Sequence, residues 1–149
     1  MVHDLFIRES IRLAYEAREN GNHPFGALLV LDGEVVLTAV NTVNTERDVT
    51  RHAELNLVSK ACRLFVPGQL AKMILYTSTE PCAMCAGAIV WAGIPTIVYG
   101  CSAERLGEMA GGSFVVPCRQ LFALGGVNTA VSGPILPDEA AQVHVGFWQ

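Results

Sequence analysis

Two short motifs constrain the fold of this chain more than any other feature of its sequence. The first is the tripeptide His52–Glu54 (HAE), and the second is the pentapeptide Pro81–Cys85 (PCAMC). Two cysteine thiolates and one histidine imidazole form a ligand set that Zn²⁺ prefers. Because three protein ligands leave one tetrahedral position open for water, this set predicts a catalytic rather than a structural zinc site. The fold must therefore bring two segments that are distant in the sequence to one point.

Each motif is expected at the start of a helix. Pro81 suits a first helical turn, where its missing N–H costs nothing, and Thr79 is a plausible N-cap. Cys82 and Cys85 are three positions apart, so both fall on one helix face. The motif that contains His52 precedes a second segment with apolar residues at helical spacing. The sequence therefore predicts that two helix N-termini converge on one cation.

Other interpretations of these motifs remain open from the residues alone. A Cys-x-x-Cys pair can be a redox pair or half of a four-ligand structural zinc site. In a zinc-stabilised interaction module without catalysis, Cys101, Cys118 or His23 would supply the fourth ligand. Cys62 is a poor candidate, because ten helical residues would place it about 15 Å along the axis from His52. The cysteines outside the motif otherwise resemble buried small hydrophobes or, less commonly, reactive thiols.

Length, composition and charge narrow the class of protein. The 149 residues suit one domain, residues 1–149. Apolar residues make up 51% of the chain and charged residues only 16%, which favours a homodimer in which some apolar surface is buried. The net charge of −4 makes nucleic acid an unlikely partner and favours a small-molecule substrate. No secretory leader or membrane span is evident, so we expect a cytoplasmic protein without a membrane partner.

Strands and helices alternate along the predicted elements. This order predicts an α/β fold, a three-layer α/β/α sandwich with a central mixed five-stranded sheet, in which the zinc ligands lie beside strand ends. The cysteine helix is apolar on nearly every side and should be covered all round. The predicted elements are a helix over 5–20 capped by Asp4, a hairpin over 25–40 with its turn at 32–33, a loop over 41–51, a helix over 53–65, a strand over 73–77, a helix over 82–92, a strand over 96–99, short helices over 102–109 and 117–124, a strand over 127–131 and a helix over 137–147.

With its two motifs in this order of elements, the chain resembles the cytidine deaminase superfamily, whose zinc enzymes carry H-x-E followed by P-C-x-x-C. The resemblance covers roughly residues 22–100. Within the superfamily, the segment 24–27 (PFGA), Asn41 and the segment 86–91 (AGAIVW) resemble the bacterial guanine deaminases and the related deaminases of isocytosine and of s-triazines such as ammeline. The tRNA adenosine deaminases and yeast-type cytosine deaminase share much of the same frame.

The resemblance implies roles for particular residues. His52, Cys82 and Cys85 would bind one Zn²⁺ per chain, and Glu54 would shuttle protons. Asn41 would hydrogen-bond the polar edge of the substrate, unless it is an ordinary turn residue. The remaining implied substrate contacts are Ala53, Phe25 and Trp91, of which the two aromatic residues could equally be core. At the C-terminus, Trp148, with Phe147, would cover the substrate or simply pack the last helix on the sheet.

The implied reaction is hydrolytic deamination of a free nucleobase or base analogue. Hydroxide on the zinc would attack the ring carbon that carries the exocyclic amine, and ammonia would leave after proton transfer through the glutamate. Guanine, isocytosine or ammeline would be suitable substrates. Deamination of tRNA adenosine is the alternative within the superfamily. The C-terminal third departs from the guanine deaminase pattern, so neither Glu104 nor Glu108 is assigned as a second acid.

Overall fold

The structure is a computed structural model that describes residues 2–148. The predicted domain also includes Met1 and Gln149, which lie outside the described residues. The elements follow in the order α1 (Val2–Glu19), β1 (Gly26–Leu31), β2 (Glu34–Val40), α2 (Val43–Glu46), α3 (Ala53–Leu64), α4 (Pro67–Leu70), β3 (Ile74–Thr79), α5 (Ala83–Ala92), β4 (Thr96–Cys101), α6 (Ala103–Ala110), α7 (Cys118–Gly125), β5 (Ala130–Ser132) and α8 (Pro137–Gln142).

The five strands form one mixed sheet in the order β2-β1-β3-β4-β5. Strand β1 pairs antiparallel with both β2 and β3, whereas β3, β4 and β5 run parallel to one another. The turn between β1 and β2 is Asp32-Gly33, and both residues have positive φ, as a tight two-residue hairpin turn requires. The predicted mixed five-stranded sheet is confirmed.

Helices cover both faces of the sheet. On one face, α1 and α8 pack on β1, β3 and β4 around a core that includes Ile7, Leu28 and Val98. On the other face, α3 and α5 pack over Leu29 and Ile97. The hydrophobic cores on the two faces define the predicted three-layer α/β/α sandwich. No helix among the described residues is long and apolar enough to span a membrane.

Several predicted helix boundaries are wrong. Helix α1 begins at Val2, so Asp4 is not its cap and lies in the first turn. Thr79 is the last residue of β3 rather than the cap of the cysteine helix, whose N-cap is Cys82. The last helix ends at Gln142 rather than at residue 147, because the following segment turns and Gly146 has a φ of 78°.

Two further elements differ from the prediction. The predicted strand over 127–131 begins only at Ala130, since the Val127 N–H still bonds to the Phe122 carbonyl at the end of α7. The predicted loop over 41–51 contains the short helix α2. Cys62, predicted to be buried, is exposed on α3, whereas Cys101 and Cys118 are buried as predicted.

Helix α5 is not covered on all sides, although its composition predicted that it would be. The side of α5 that faces the sheet is fully buried at Cys85, Ala86 and Ile89. On its outer side, Met84 is 37% exposed and Trp91 is 90% exposed. A single copy of the chain therefore leaves an apolar face on this helix open.

Candidate metal and active site

The three predicted ligands meet at the starts of two helices. His52 is the N-cap of α3, Cys82 is the N-cap of α5, and Cys85 lies in the first turn of α5. The His52 Nδ1 atom is 3.5 Å from the Sγ atom of each cysteine. Tetrahedral zinc with ordinary Zn–N and Zn–S bond lengths holds a nitrogen and a sulfur about 3.6 Å apart. The donor atoms and their spacing therefore fit Zn²⁺ bound through Nδ1.

The electrostatics of these three groups also suit a cation. A hydrogen bond from Cys85, aided by His52, lowers the pKa of Cys82 to about 4 against the penalty of burial. Donation to Cys82, together with burial, raises the pKa of Cys85. The hydrogen bond with Cys82 raises the pKa of His52, although burial opposes it. A bound metal ion would replace the protons that the two sulfurs and the imidazole share, because these ligands bind metal in their deprotonated forms.

Glu54 lies in the first turn of α3, two residues after the histidine ligand, and is only 4% exposed. Burial raises its pKa to about 7, and the neighbouring Cys82 thiolate adds to this effect. The interaction with the Thr77 hydroxyl and the charge of His52 act in the opposite direction. A carboxyl group with a pKa near neutrality can both accept and return a proton, as general acid–base chemistry requires.

Asn41 presents an unused hydrogen-bond donor. It follows β2 and is 1% exposed. Its Oδ1 atom accepts a hydrogen bond from the Val43 N–H at 3.0 Å, which fixes the orientation of the amide group. Its Nδ2 atom is buried and has no partner among the described residues. Since buried donors are normally paired, this amide nitrogen is suited to an acceptor atom on a ligand.

The other predicted substrate contacts differ in their placement. Phe25 is partly buried, and its carbonyl accepts a hydrogen bond from the Asn41 N–H at 3.1 Å. The Ala53 side chain is buried in the core, so only its main chain could contact a ligand. Trp91 lies near the opposite end of α5 from Cys82 and lines a groove with Leu121 and other apolar residues, none of which is a predicted ligand. The fold thus does not bring Trp91 to the ligand cluster of its own chain.

The C-terminal aromatic residues pack beside the ligand region. The Trp148 ring lies 5.3 Å from the His23 ring and 6.0 Å from the Phe25 ring, measured between centroids. Burial, followed by the charge of His52, lowers the pKa of His23. The predicted docking of the chain end is therefore present, against His23 and Phe25.

Nothing in the described part of the chain adds a fourth protein ligand. Among residues 2–148, only His52, Cys82 and Cys85 bring metal-ligating atoms within 4.8 Å of one another. The side chains of Cys101 and Cys118 are buried elsewhere, and His23 is not part of the cluster. These placements favour an open coordination position over the interaction module. The acids Glu104 and Glu108, left unassigned from the sequence, are both exposed on α6.

Sequence reasoning missed two buried polar residues next to the ligands. Glu80, directly before the cysteine motif, accepts hydrogen bonds from the N–H of Ala103 at 2.9 Å and from the N–H of Cys118 at 2.7 Å. It therefore fixes the starts of α6 and α7 to the segment that carries Cys82. His144 is the second missed residue, and it bonds to Thr79. The position of an acid directly before the cysteine motif was a signal for Glu80, whereas no local pattern pointed to His144.

Comparison with known proteins fits this geometry. Residues 1–101 match the family described as the cytidine and deoxycytidylate deaminase zinc-binding region. The chain belongs to this family of zinc deaminases. The predicted superfamily, zinc cofactor and class of hydrolase acting on C–N bonds are thereby confirmed.

Relatives with different named activities have similar sequence identity to this chain. The chain is 38% identical to a probable cytosine deaminase of Schizosaccharomyces pombe, over 96% of this chain and 90% of that protein. It is 43% identical to the guanine deaminase of Bacillus subtilis, over 66% of this chain and 64% of that protein. A solved structure from work on tRNA:A34 deaminases, which carry out A-to-I editing at the wobble position, has a TM-score of 0.76 and 32% identity and covers 94% of this chain and 99% of that chain.

Proposed function

We propose that the chain is a zinc-dependent hydrolytic deaminase that releases ammonia from a free nucleobase or base analogue of the guanine, isocytosine or ammeline type. The observation that carries this proposal is the buried Glu54 carboxyl beside three zinc ligands, with the unpaired Asn41 amide nitrogen nearby. We further propose that residues 1–149 form one deaminase domain that acts in the cytoplasm.

The chemistry needs a nucleophile and a route for protons. When bound, zinc acidifies a water molecule at neutral pH. Glu54 accepts one proton of that water and passes it to the ring nitrogen, while the remaining hydroxide bonds to the reacting carbon. Glu54 then takes the proton of the new hydroxyl group and gives it to the leaving amine. The C–N bond to the amine breaks, a carbonyl takes its place, and ammonia leaves. The net change is the addition of one water molecule and the loss of one ammonia, so no further reactant is required.

The Asn41 side chain bears on the choice of substrate. Because its oxygen is already bonded to the Val43 N–H, the group offered to the substrate is the N–H of its amide. A substrate with a ring nitrogen or carbonyl oxygen at this position would be recognised, and one with an amine there would leave two donors facing each other. Free bases that contain an amino-substituted N–C–N unit provide such an acceptor.

Two considerations favour a free base over tRNA. The aromatic residues Phe147 and Trp148 pack on His23, and an aromatic cover of the proposed kind suits a small base better than a polynucleotide. The net charge of −4 also gives little general attraction for phosphates. The similarity to a tRNA:A34 deaminase structure keeps tRNA adenosine as the second candidate.

A substrate panel separates the two candidates. Ammonia release would be measured for guanine, isocytosine, ammeline and cytosine, for their nucleosides where these exist, and for a tRNA with adenosine at the wobble position. We expect turnover of at least one free base and none of the tRNA. Turnover of the tRNA alone, or of nucleosides alone, would refute the free-base proposal while leaving the deaminase chemistry intact.

We also propose that the enzyme is a homodimer formed through the open face of α5 and α7. Trp91 on α5 and Leu124 on α7 are 90% and 89% exposed, and an apolar groove that includes Val90 and Phe122 lies on the same side of the molecule. Exposed apolar surface of this kind is typical of subunit interfaces. Sedimentation of the wild type and of Leu124→Glu tests this: the wild type should sediment as a dimer and the variant as a monomer.

A further inference from the structure

A buried histidine connects the sheet to the C-terminal aromatic residues. His144 follows α8 and is 1% exposed. Its Nε2 atom is 2.9 Å from the Thr79 Oγ1 atom, and its Nδ1 atom is 3.1 Å from the Trp148 Nε1 atom. The His144 ring also packs against Phe25 at a tilted angle of 58°, with 5.3 Å between the ring centroids. Both ring nitrogens are therefore engaged, one with β3 and the other with the end of the chain.

These two contacts determine which nitrogen of His144 carries the proton. An indole N–H can only donate a hydrogen bond, so the Nδ1 atom must be the acceptor. The ring is then neutral, with its proton on Nε2, and it donates to the Thr79 hydroxyl oxygen. Burial, together with the charge of Arg18, lowers the pKa of His144 to about 4, which keeps the ring neutral near pH 7. The Thr79 hydroxyl thus pairs the Nε2 proton of the tautomer that accepts from Trp148.

The contact with Thr79 ties the histidine to a rigid part of the active site. Thr79 is the last residue of β3, it is buried, and it lies three residues before the ligand Cys82. Its carbonyl accepts a hydrogen bond from the Thr77 hydroxyl at 2.9 Å. The end of β3 therefore bonds to the anchor of Trp148 and leads directly into the segment that carries the ligand Cys82.

We propose that His144 is a positioning residue that holds the Trp148 ring beside His23 and Phe25, and that the Thr79 hydroxyl supports this role by accepting a hydrogen bond from Nε2 and so anchoring the imidazole ring. The consequence for substrate affinity rests on the proposed function, in which Trp148 covers the substrate. The placement of the Trp148 ring by His144 does not depend on the proposed function. A histidine that served only to fill the core would gain nothing from an acceptor at Nδ1, so the two roles make different predictions.

The test uses a pair of nearly isosteric substitutions at residue 144. His144→Asn keeps an acceptor near the position of Nδ1, whereas His144→Leu removes it at nearly the same side-chain volume. Both are made in a Trp91→Phe background, so that all tryptophan fluorescence comes from Trp148. Quenching by acrylamide is measured without substrate. We expect His144→Leu to increase the quenching constant, by roughly 2- to 10-fold if one hydrogen bond held the ring, and His144→Asn to stay near the background value.

Thr79 supplies an independent pair of variants. Thr79→Val removes the hydroxyl that bonds to the Nε2 atom of His144, and Thr79→Ser retains it. The quenching constant should rise in the valine variant and stay near the background value in the serine variant. Equal quenching in all four variants, or equal increases in His144→Asn and His144→Leu, would overturn the proposal and leave His144 with a packing role alone.

Kinetics then separate this proposal from the proposed function. With a substrate from the panel, His144→Leu should raise KM by about 2- to 10-fold while changing kcat much less, because only the covering ring has moved. If quenching rises but KM is unchanged, His144 positions Trp148 as proposed and the covering role of Trp148 is refuted. If no base is deaminated, the quenching result still decides the positioning proposal by itself.

Discussion

The metal-ligand region and the C-terminal third of this chain are built differently. The first region, residues 22–101, contains four of the five strands together with His52, Cys82, Cys85 and Glu54. The second, residues 102–148, adds only a three-residue strand and short helices. The family match ends at residue 101, and the guanine deaminase aligns over 100 residues, whereas the cytosine deaminase aligns over 96% of the chain. The reaction chemistry is thus common to the relatives, and the difference between substrates is to be sought in the second region.

The two regions also differ in how deeply their helices and strands are buried in the fold. Strands β1, β3 and β4 of the first region are buried on both faces, and the ligands lie at the N-termini of α3 and α5, where backbone N–H groups are unpaired within the helix. The second region leaves Phe114 and Leu124 exposed, and it joins the first through the pairing of β5 with β4, the packing of α7 and α8, and the polar contacts of Glu80 and His144. Substitutions in the first region should therefore abolish the reaction, and those in the second should modulate it.

The largest effect is expected from Cys85→Ser. Loss of a thiolate ligand should lower zinc affinity by more than the roughly 10- to 100-fold that removal of an outer-shell partner costs, and should lower the melting temperature as well. Cys118→Ser is the matched control, a buried cysteine outside the cluster that should lose some stability but no zinc. Zinc content by atomic emission and thermal melts measure both properties. A serine variant with full zinc content would remove Cys85 from the ligand set.

The next effect is expected from Glu54→Gln. The amide cannot shuttle a proton, so kcat should fall by about 10²- to 10⁴-fold while zinc content and melting temperature stay near wild-type values. Glu34→Gln makes the same charge change on an exposed residue of β2 and should remain fully active. Steady-state ammonia release gives the rates. Turnover retained in Glu54→Gln would show that another group carries the proton.

A smaller effect is expected in the second region, from Trp148→Ala. If the indole covers the substrate, KM should rise by roughly 10- to 100-fold, the range that loss of one aromatic stacking partner of a base can produce. The kcat value should change much less. Trp148→Phe keeps a stacking surface and should recover most of the affinity. A lowered melting temperature with unchanged KM would instead show that the C-terminus serves only as a packing anchor.

The smallest effect concerns stability at acidic pH. His144 binds a proton near pH 6.5 when unfolded but only near pH 4 when folded, so the unfolded chain takes up more protons between these values. Stability contributed by the neutral ring is thus present above pH 6.5 and is lost as the pH falls towards 4, by up to about 3 kcal/mol. Urea unfolding of wild type and His144→Asn at pH 7 and pH 4.5 measures it. The variant should lose less stability on acidification, and equal losses would contradict the buried neutral histidine.

The chemistry could be predicted from the sequence because it depends on local patterns. The two motifs specify the ligands His52, Cys82 and Cys85 by residue type and spacing, and the apolar runs before and after them specify buried strands. The ends of elements were harder, since Asp4 and Thr79 both have the residue type of an N-cap and neither is one. Tertiary contacts determined these ends: the Thr79 hydroxyl is used by His144.

The sequence failed where the deciding contact is distant along the chain. Nothing local indicates that His144 would meet Thr79, or that Trp91 would lie on an open face rather than in the core or the site. The apolar character of α5 was detected correctly, but a single chain does not contain the surface that would cover it. The sequence indicates contacts between chains only through its high apolar content. It therefore predicts a dimer but does not identify the surface through which the dimer would form.

The Glu80 carboxylate has an implication for how deaminases of this family can diversify. Both groups that it binds are main-chain N–H groups, at the starts of α6 and α7, so the attachment makes little demand on the side chains of residues 103 and 118. The exposed residues 112–114 between these two points can therefore be exchanged without breaking the two bonds that hold the segment before Cys82. Natural or engineered changes in this loop can thus leave the reaction centre unaltered.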